Sequence, residues 1–322
     1  MKLGLMMALF GNVPFEEALD RAVAANLDAV EIGVGNYPGD SHVGSLAELV
    51  ASKTKARDWA AKVADRGLAI SALACHGNPL HPNAKIAKAH HEVWRNAVKL
   101  AAHIGLDTIT GFSGCPGGSP TDQFPNWVVC AWPTDFVEIL NWQWDKKILP
   151  YWKREAAFAA DHGVRLAFEM HQGMSVYNTE TLLRLRHECG DNLGCNFDPS
   201  HLFWQGMDPL ACIRRLGSKI IYHVHAKDAR IDPANAAVNG LLDTSDYGKI
   251  AQRSWVFRTV GYGHDEHWWC DFVSNLRMVG YDGVLSLEHE DGLMSAGEGF
   301  TKGIEFLRRV IIKDQPGAMW WA

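Results

Sequence analysis

Four short stretches in the second half of the chain end in residues that bind metals and move protons. They read RLAFEMH (165–171), LGCNFDPSH (193–201), IIYHVHAKD (220–228) and GVLSLEHED (283–291). Side chains alternate between the two faces of an extended strand. Ala167, Glu169 and His171 therefore share one side, as do Asn196 and Asp198. The same holds for His223, His225 and Lys227, and for Ser286, Glu288 and Glu290. Several charges aimed into one low-dielectric space are costly unless they are paired or bound to a cation. A divalent metal is the direct compensation, and carboxylates with an imidazole suit Mn²⁺, Mg²⁺ or Co²⁺ better than a thiolate set would. His223 and His225 stand about 7 Å apart on a strand, too far to share one ion easily. His225, nearer the strand end, is the expected ligand, with His223 one layer deeper. Such a centre polarises an oxygen while neighbouring carboxylates transfer protons.

These stretches belong to a longer alternation. Eight apolar runs (3–10, 29–35, 69–77, 107–114, 165–171, 193–201, 220–228 and 283–291) each precede an amphipathic segment. The segments are 15–25, 46–65, 86–103, 145–162, 181–189, 209–216, 268–279 and 298–312. Alternating strands and helices predict a parallel sheet, and eight units allow closure into a single (β/α)8 TIM barrel over residues 1–322. Gly67, Gly105, Gly163, Gly217 and Gly280 punctuate the helix ends. Two connections, 113–134 and 229–263, are too long for bare linkers. Both follow strands, which places them on the face where barrel active sites are built.

Composition narrows the class. With 322 residues, 47% hydrophobic and 21% charged, the chain is ordinary globular material rather than disordered or fibrous. A net charge of −6 argues against nucleic acid as the main partner. The seven cysteines are odd in number and form no CxxC pair, which fits free thiols in a reducing compartment. No stretch reaches the roughly 18 apolar residues of a membrane helix. A cytoplasmic protein without a membrane partner is the expectation.

The motifs EMH, DPSH, HVHAKD and LEHED, in this order on successive predicted strands, resemble the xylose isomerase-like superfamily. This is the AP endonuclease family 2-type TIM barrel of sugar (phosphate) isomerases and epimerases, and the resemblance extends over almost the whole chain. It implies Glu169, Asp198, His225 and Glu288 as ligands of one divalent metal, Mn²⁺ first, with Mg²⁺, Co²⁺ or Zn²⁺ as alternatives. It also implies that His201 contacts metal-bound substrate or water, and that Arg258 is the substrate-binding arginine of the epimerases. On a keto-sugar or related polyol the metal would stabilise an enediolate, with Glu169 and Glu288 as the proton-transferring pair. Lys227 and Asp228 would orient His225 or bind a sugar hydroxyl.

Further candidates flank this set. His76, in ACHGNPLHP, is expected at the same barrel mouth, and Glu31, inside a strand, needs a partner. Trp127, Trp132, Trp142 and Trp144 cluster along one active-face connection, where Trp127 and Trp132 would cover a sugar ring as a lid. The terminal Met319-Trp320-Trp321-Ala322 is expected to pack on the barrel or on another subunit, so a homo-oligomer or a small partner subunit is anticipated. The leading function is a metal-dependent sugar isomerase or epimerase. A lyase is the rival on the same site, inosose dehydratase-like or resembling the metal subunit of a C-glycoside deglycosidase acting on 3-keto-glycosides. A nuclease would want a basic crescent, which the acidic balance opposes.

Overall fold

Each apolar run forms a strand shorter than itself. The structure, a computed structural model, describes residues 1–321. The strands are β1 Lys2–Met6, β2 Ala29–Gly33, β3 Ala69–Ala74, β4 Thr108–Gly111, β5 Arg165–Glu169, β6 Leu193–Phe197, β7 Ile221–Ala226, β8 Asp228–Ile231, β9 Trp255–Arg258 and β10 Val284–Leu287. Eight of them close a parallel barrel in the order β1-β2-β3-β4-β5-β6-β7-β10. β1 seals the ring by pairing with both β2 (Gly4 opposite Ala29) and β10 (Lys2 opposite Val284). Strands covered on both sides tolerate few solvent-facing polar groups, which explains why β2 and β6 are buried at every residue. Pairing stops where the polar residues begin. Asp198, Lys227 and Glu288 each stand just past the end of a strand, at the mouth of the barrel.

Besides short helical turns such as those at Met7–Phe10, Ser200–Phe203 and Pro233–Asn239, the helices differ from the expected pattern in two places. The segment read as one helix over 46–65 is two, Leu46–Ala51 and Lys53–Ala64, broken at Ser52, whose hydroxyl caps the second. The segment over 145–162 starts earlier: helix Thr134–Gln143 runs through a wider turn at Trp144–Ile148 into helix Leu149–Asp161. Trp144 is consequently a core residue, not a ring at the barrel mouth. Trp152 is equally buried; it packs edge-on against Phe168 of β5 at 4.5 Å and donates to the Ser113 carbonyl at 2.8 Å. The Ser113 hydroxyl in turn accepts from Val176 N at 2.8 Å, which ties together the loops leaving β4 and β5. Gly105 ends helix Ala84–Ile104 at φ +74°, where its N–H reaches the Ala101 carbonyl.

Among the helices one buried carboxylate makes acid stability testable. Glu155, fully buried, receives Arg95 in two hydrogen bonds of 2.8 and 3.1 Å and Arg154 Nε at 2.7 Å. Burial alone would raise its pKa, but the hydrogen bonds from Arg95 and Arg154 outweigh burial and hold the carboxyl below its usual range. A lowered folded pKa contributes stability that is complete above the unfolded value and lost as pH falls through the folded one. Arg95→Ala should therefore lower the melting temperature at pH 7, with the gap to wild type closing in acid. Parallel melts across that range check it; a gap independent of pH would remove Glu155 from the account.

The connection after β7 carries structure of its own. β8 and β9 form an antiparallel pair outside the barrel, with Asp228 opposite Arg258 and Arg230 opposite Val256. Asp228 does not face His225. Its carboxylate accepts from the backbone of Gly261, Gly263 and His264 at 2.9–3.1 Å and from Trp269 Nε1 at 3.2 Å, pinning the end of this connection. A Cβ at Gly263 would collide with Asp228 and the Ala229 carbonyl, so only glycine permits that approach. At the carboxyl end Trp320 and Trp321 are 88% and 69% exposed, so these rings do not pack on the barrel. Ala322 lies outside the described residues. No helix among the described residues is long and apolar enough to cross a membrane.

Candidate metal centre and its cavity

Four consecutive barrel strands deliver one residue each to a single point. Glu169 ends β5, Asp198 follows β6, His225 lies in β7 and Glu288 follows β10. All four are buried, and one potential ligand atom of each lies within 4.8 Å of the others. His225 Nδ1 is 2.8 Å from Glu288 Oε2 and 3.2 Å from Glu169 Oε2. Its other nitrogen, Nε2, is 2.8 Å from Glu31 Oε2. Glu31 is held in turn by Thr110 Oγ1 at 2.6 Å and Ser286 Oγ at 3.2 Å. Burial would raise the Glu31 pKa, but the charge of His225 more than reverses it and keeps the group ionised. Burial also opposes charge on His225, yet Glu31 and Glu288 hold its pKa well above the ordinary histidine value. His223 sits a layer deeper, bonded to Asn196 Oδ1 at 3.0 Å and to Ser71 Oγ at 3.2 Å. Burial drives it down to about 4, so it is neutral.

A carboxylate behind a ligating imidazole fixes ring orientation and raises its basicity. Glu31→Gln should therefore weaken metal affinity by about ten- to a hundredfold. Competition against a calibrated chelator measures this; unchanged affinity would make Glu31 a purely structural partner.

The donor set fits a divalent cation. Asp198 Oδ2, Glu288 Oε2 and His201 Nε2 are buried and lack any aligned hydrogen-bond partner. Glu31, Glu169, Asp198 and Glu288 bring four negative charges to this buried region, against one obligatory cation, Lys227. With a protonated His201 counted beside Lys227, a divalent ion would offset the two charges left over. Lys227 spans the group, its Nζ at 3.0 Å from Asp198, 3.1 Å from Glu288 and 3.2 Å from Glu290. Desolvation disfavours its charge, but Asp198 and Glu288 dominate and raise its pKa well above the usual value. His201 Nε2 lies 3.0 Å from Glu169 and 3.2 Å from Asp198. Burial would lower its pKa, yet Asp198 pushes it up to about 9. His76 Nε2 is 3.3 Å from Glu169, and its ring meets Phe112 edge-on at 4.7 Å. Thus His76, His201 and Lys227 join the four predicted ligands.

Above them opens a cavity of about 470 Å³. Tyr37 and Glu290 form one wall, joined by a 2.6 Å hydrogen bond. Gln172 and Tyr247 form another, at 3.0 Å, with Gln172 also bonded to His201 Nδ1 at 3.1 Å. Phe112, Phe257 and His171 supply flat faces. Tyr37, Gln172, Tyr247 and Phe257 belong to no motif visible in the sequence, beyond the faint signals of the HQ dipeptide at 171–172 and the RSWVFR stretch.

Three predicted contacts lie elsewhere. Trp127 packs edge-on against Tyr177 at 5.4 Å and lines a separate groove with Trp204 and Leu241. Trp132 is 76% exposed, so neither ring caps the metal group. Arg258 directs Nε to Asp291 at 3.0 Å and borders a different pocket. Its strand faces decide this, because Phe257, not Arg258, turns to the centre: the Phe257 ring stands 5.4 Å from His201.

Fold and site together define an eight-stranded parallel α/β barrel with a candidate divalent-metal centre at the carboxyl ends of its strands. Residues 19–310 match the xylose isomerase-like TIM barrel family, and the chain belongs to it. It is 39% identical over 314 residues to the Bacillus subtilis protein YfiH, covering 97% of this chain and 99% of that one. It is 26% identical over 309 residues to inosose dehydratase of Geobacillus thermodenitrificans, covering 94% and 92%. Among solved structures the IOLI protein with a bound zinc atom superposes at a TM-score of 0.62 and 17% identity, over 97% and 98% of the chains. The family is one of enzymes, with isomerases, epimerases and dehydratases among its members.

Proposed function

We propose that the chain is a divalent-metal-dependent isomerase or epimerase acting on a keto-sugar or related polyol. The carrying observation is that Glu169 and Glu288 converge on His225 Nδ1 from β5 and β10, with β6 and β7 between them. A cation held by Glu169, Asp198, His225 and Glu288, Mn²⁺ first and Zn²⁺ as the alternative, would polarise the substrate carbonyl and offset charge developing beside it. One carboxylate removes the proton next to the carbonyl, and the other returns one from the opposite side. His201 and Lys227 present N–H donors to substrate oxygens, and His76 steadies Glu169. The rings of Phe112 and Phe257 cover the apolar face of the sugar and keep water from the charged carbon.

The test is metal-loaded protein with a panel of keto-sugars and keto-cyclitols in deuterated water. Deuterium entering the carbon beside the carbonyl, with an epimer or isomer accumulating, supports the reading. No exchange on any member of the panel overturns it.

Elimination is the second reading. His201 is held protonated against Asp198, which suits it to protonate a departing hydroxyl or aglycone, with Lys227 fixing the oxygens beside it. The near full-length similarity to an inosose dehydratase points the same way. Loss of water, or release of aglycone from a 3-keto-glycoside, with no epimer formed would favour it.

A further inference from the structure

We propose that the pocket on the far side of Phe257 is a binding site for a phosphoryl-type oxyanion, built around Arg253. This pocket, about 570 Å³, is bordered by Arg230, Lys249, Arg253 and Arg258, with Asp232 as its acid. Arg230 and Arg258 come to it together because Arg230 pairs with Val256 and Arg258 is two residues further along the same face of the β8–β9 ribbon.

Arg253 is the decisive residue. It is 1% exposed, among the largest fully buried side chains. Its Nε donates to the Trp255 carbonyl at 3.1 Å and Nη1 to the Ser245 carbonyl, while the guanidinium lies over Tyr247 at 4.1 Å and Trp255 at 4.8 Å. Its Nη2 is buried with no partner. A buried guanidinium with a donor left over is costly, and guanidinium N–H groups suit phosphate oxygens.

No carboxylate forms an ion pair with Arg230, Lys249 or Arg253 among the described residues. The nearby acids are committed to backbone. Asp232 accepts from Asn235 N at 2.8 Å, Asp243 from Ser254 N at 2.6 Å, and Asp246 from Gly248 N at 2.7 Å. Asp291 holds Arg258 and Thr259. Among the described residues, Arg230, Lys249 and Arg253 thus line the pocket without a direct carboxylate partner.

The pocket neighbours the metal cavity. A smaller hollow between them shares Arg253 and Val256 with the cationic pocket, and Tyr247, Phe257 and Glu290 with the metal cavity. An anionic substituent on a keto-polyol could thus occupy one end while the carbonyl occupies the other. That assignment of ends rests on the function proposed above; the anion site itself does not.

The test separates them. Inorganic phosphate is titrated into metal-loaded wild type, Arg253→Gln, the surface double variant Arg230→Gln/Lys249→Gln, and Asp198→Ala, with binding followed by calorimetry. Expected is binding weakened about tenfold or more in both arginine-pocket variants and retained in Asp198→Ala. The double variant keeps the test alive if Arg253→Gln does not fold. No phosphate binding, or binding lost only in Asp198→Ala, overturns the site, the latter placing phosphate on the metal. A second arm compares D-fructose with D-fructose 6-phosphate in the deuterium-exchange assay. A raised KM for the phosphorylated sugar alone in the double variant identifies a substrate substituent as the source. Phosphate binding without that preference identifies free anion, and supports the site while removing its link to the reaction.

Discussion

Glu288→Gln is expected to slow exchange of the substrate C–H hydrogen with solvent by about a hundred- to ten-thousandfold, the range for loss of a positioned general base. Glutamine keeps the shape and one ligating oxygen but removes the charge and basicity. Glu288 is the cleaner of the two positions to test. Its Oε2 has no aligned hydrogen-bond partner, although His225 Nδ1 and Lys227 Nζ stand 2.8 and 3.1 Å away. Glu169 is more entangled: Asn196 Nδ2 donates to it at 3.1 Å, and His76, His201 and His225 surround it within 3.3 Å. Burial would raise the Glu169 pKa, but the close imidazoles of His201, His225 and His76 hold it well below the usual carboxylate range. Glu169→Gln should therefore disturb neighbouring rings as well as remove a base. Exchange rates and metal content, measured together on both variants, separate the effects. Wild-type exchange in both would place the bases elsewhere.

The second large effect concerns His225. His225→Ala should empty the metal centre and abolish activity with it. It should also destabilise the cation-free protein by about 3–5 kcal/mol, as expected when a buried charge loses its partner. Glu31, Glu169 and Glu288 all lie within 3.2 Å of this one ring, and removing it leaves three buried carboxylates facing a void. Unpaired buried carboxylates take up protons more readily, so the variant should recover part of the lost stability on acidification. Metal analysis with melting curves at two pH values reads both consequences. Full metal occupancy in a His225→Ala/Asp198→Ala double variant would dismiss the ligand assignment.

The barrel and the strand ends that carry its four converging residues were readable from the chain alone because both depend on local periodicity; the choice of those four among their neighbours came from the family resemblance. An apolar run marks a strand, the helix after it sets the direction, and the residue where polarity resumes marks the mouth. Glu169, Asp198 and Glu288 stand at those boundaries and His225 lies one residue inside the end of β7. Barrel closure alone placed Glu31 against His225, a partner 194 residues away, and Tyr37 against Glu290, 253 residues away. No spacing rule reaches across a ring of strands. Arg258 and Trp127 show the converse. Both sit on connections from the correct end of the barrel, yet a β-ribbon register turned the first toward Asp291 and loop packing seated the second on Tyr177. Strand periodicity fixes where a side chain leaves the barrel. Where a long connection carries it afterwards depends on packing between segments remote in sequence, which only the folded chain decides.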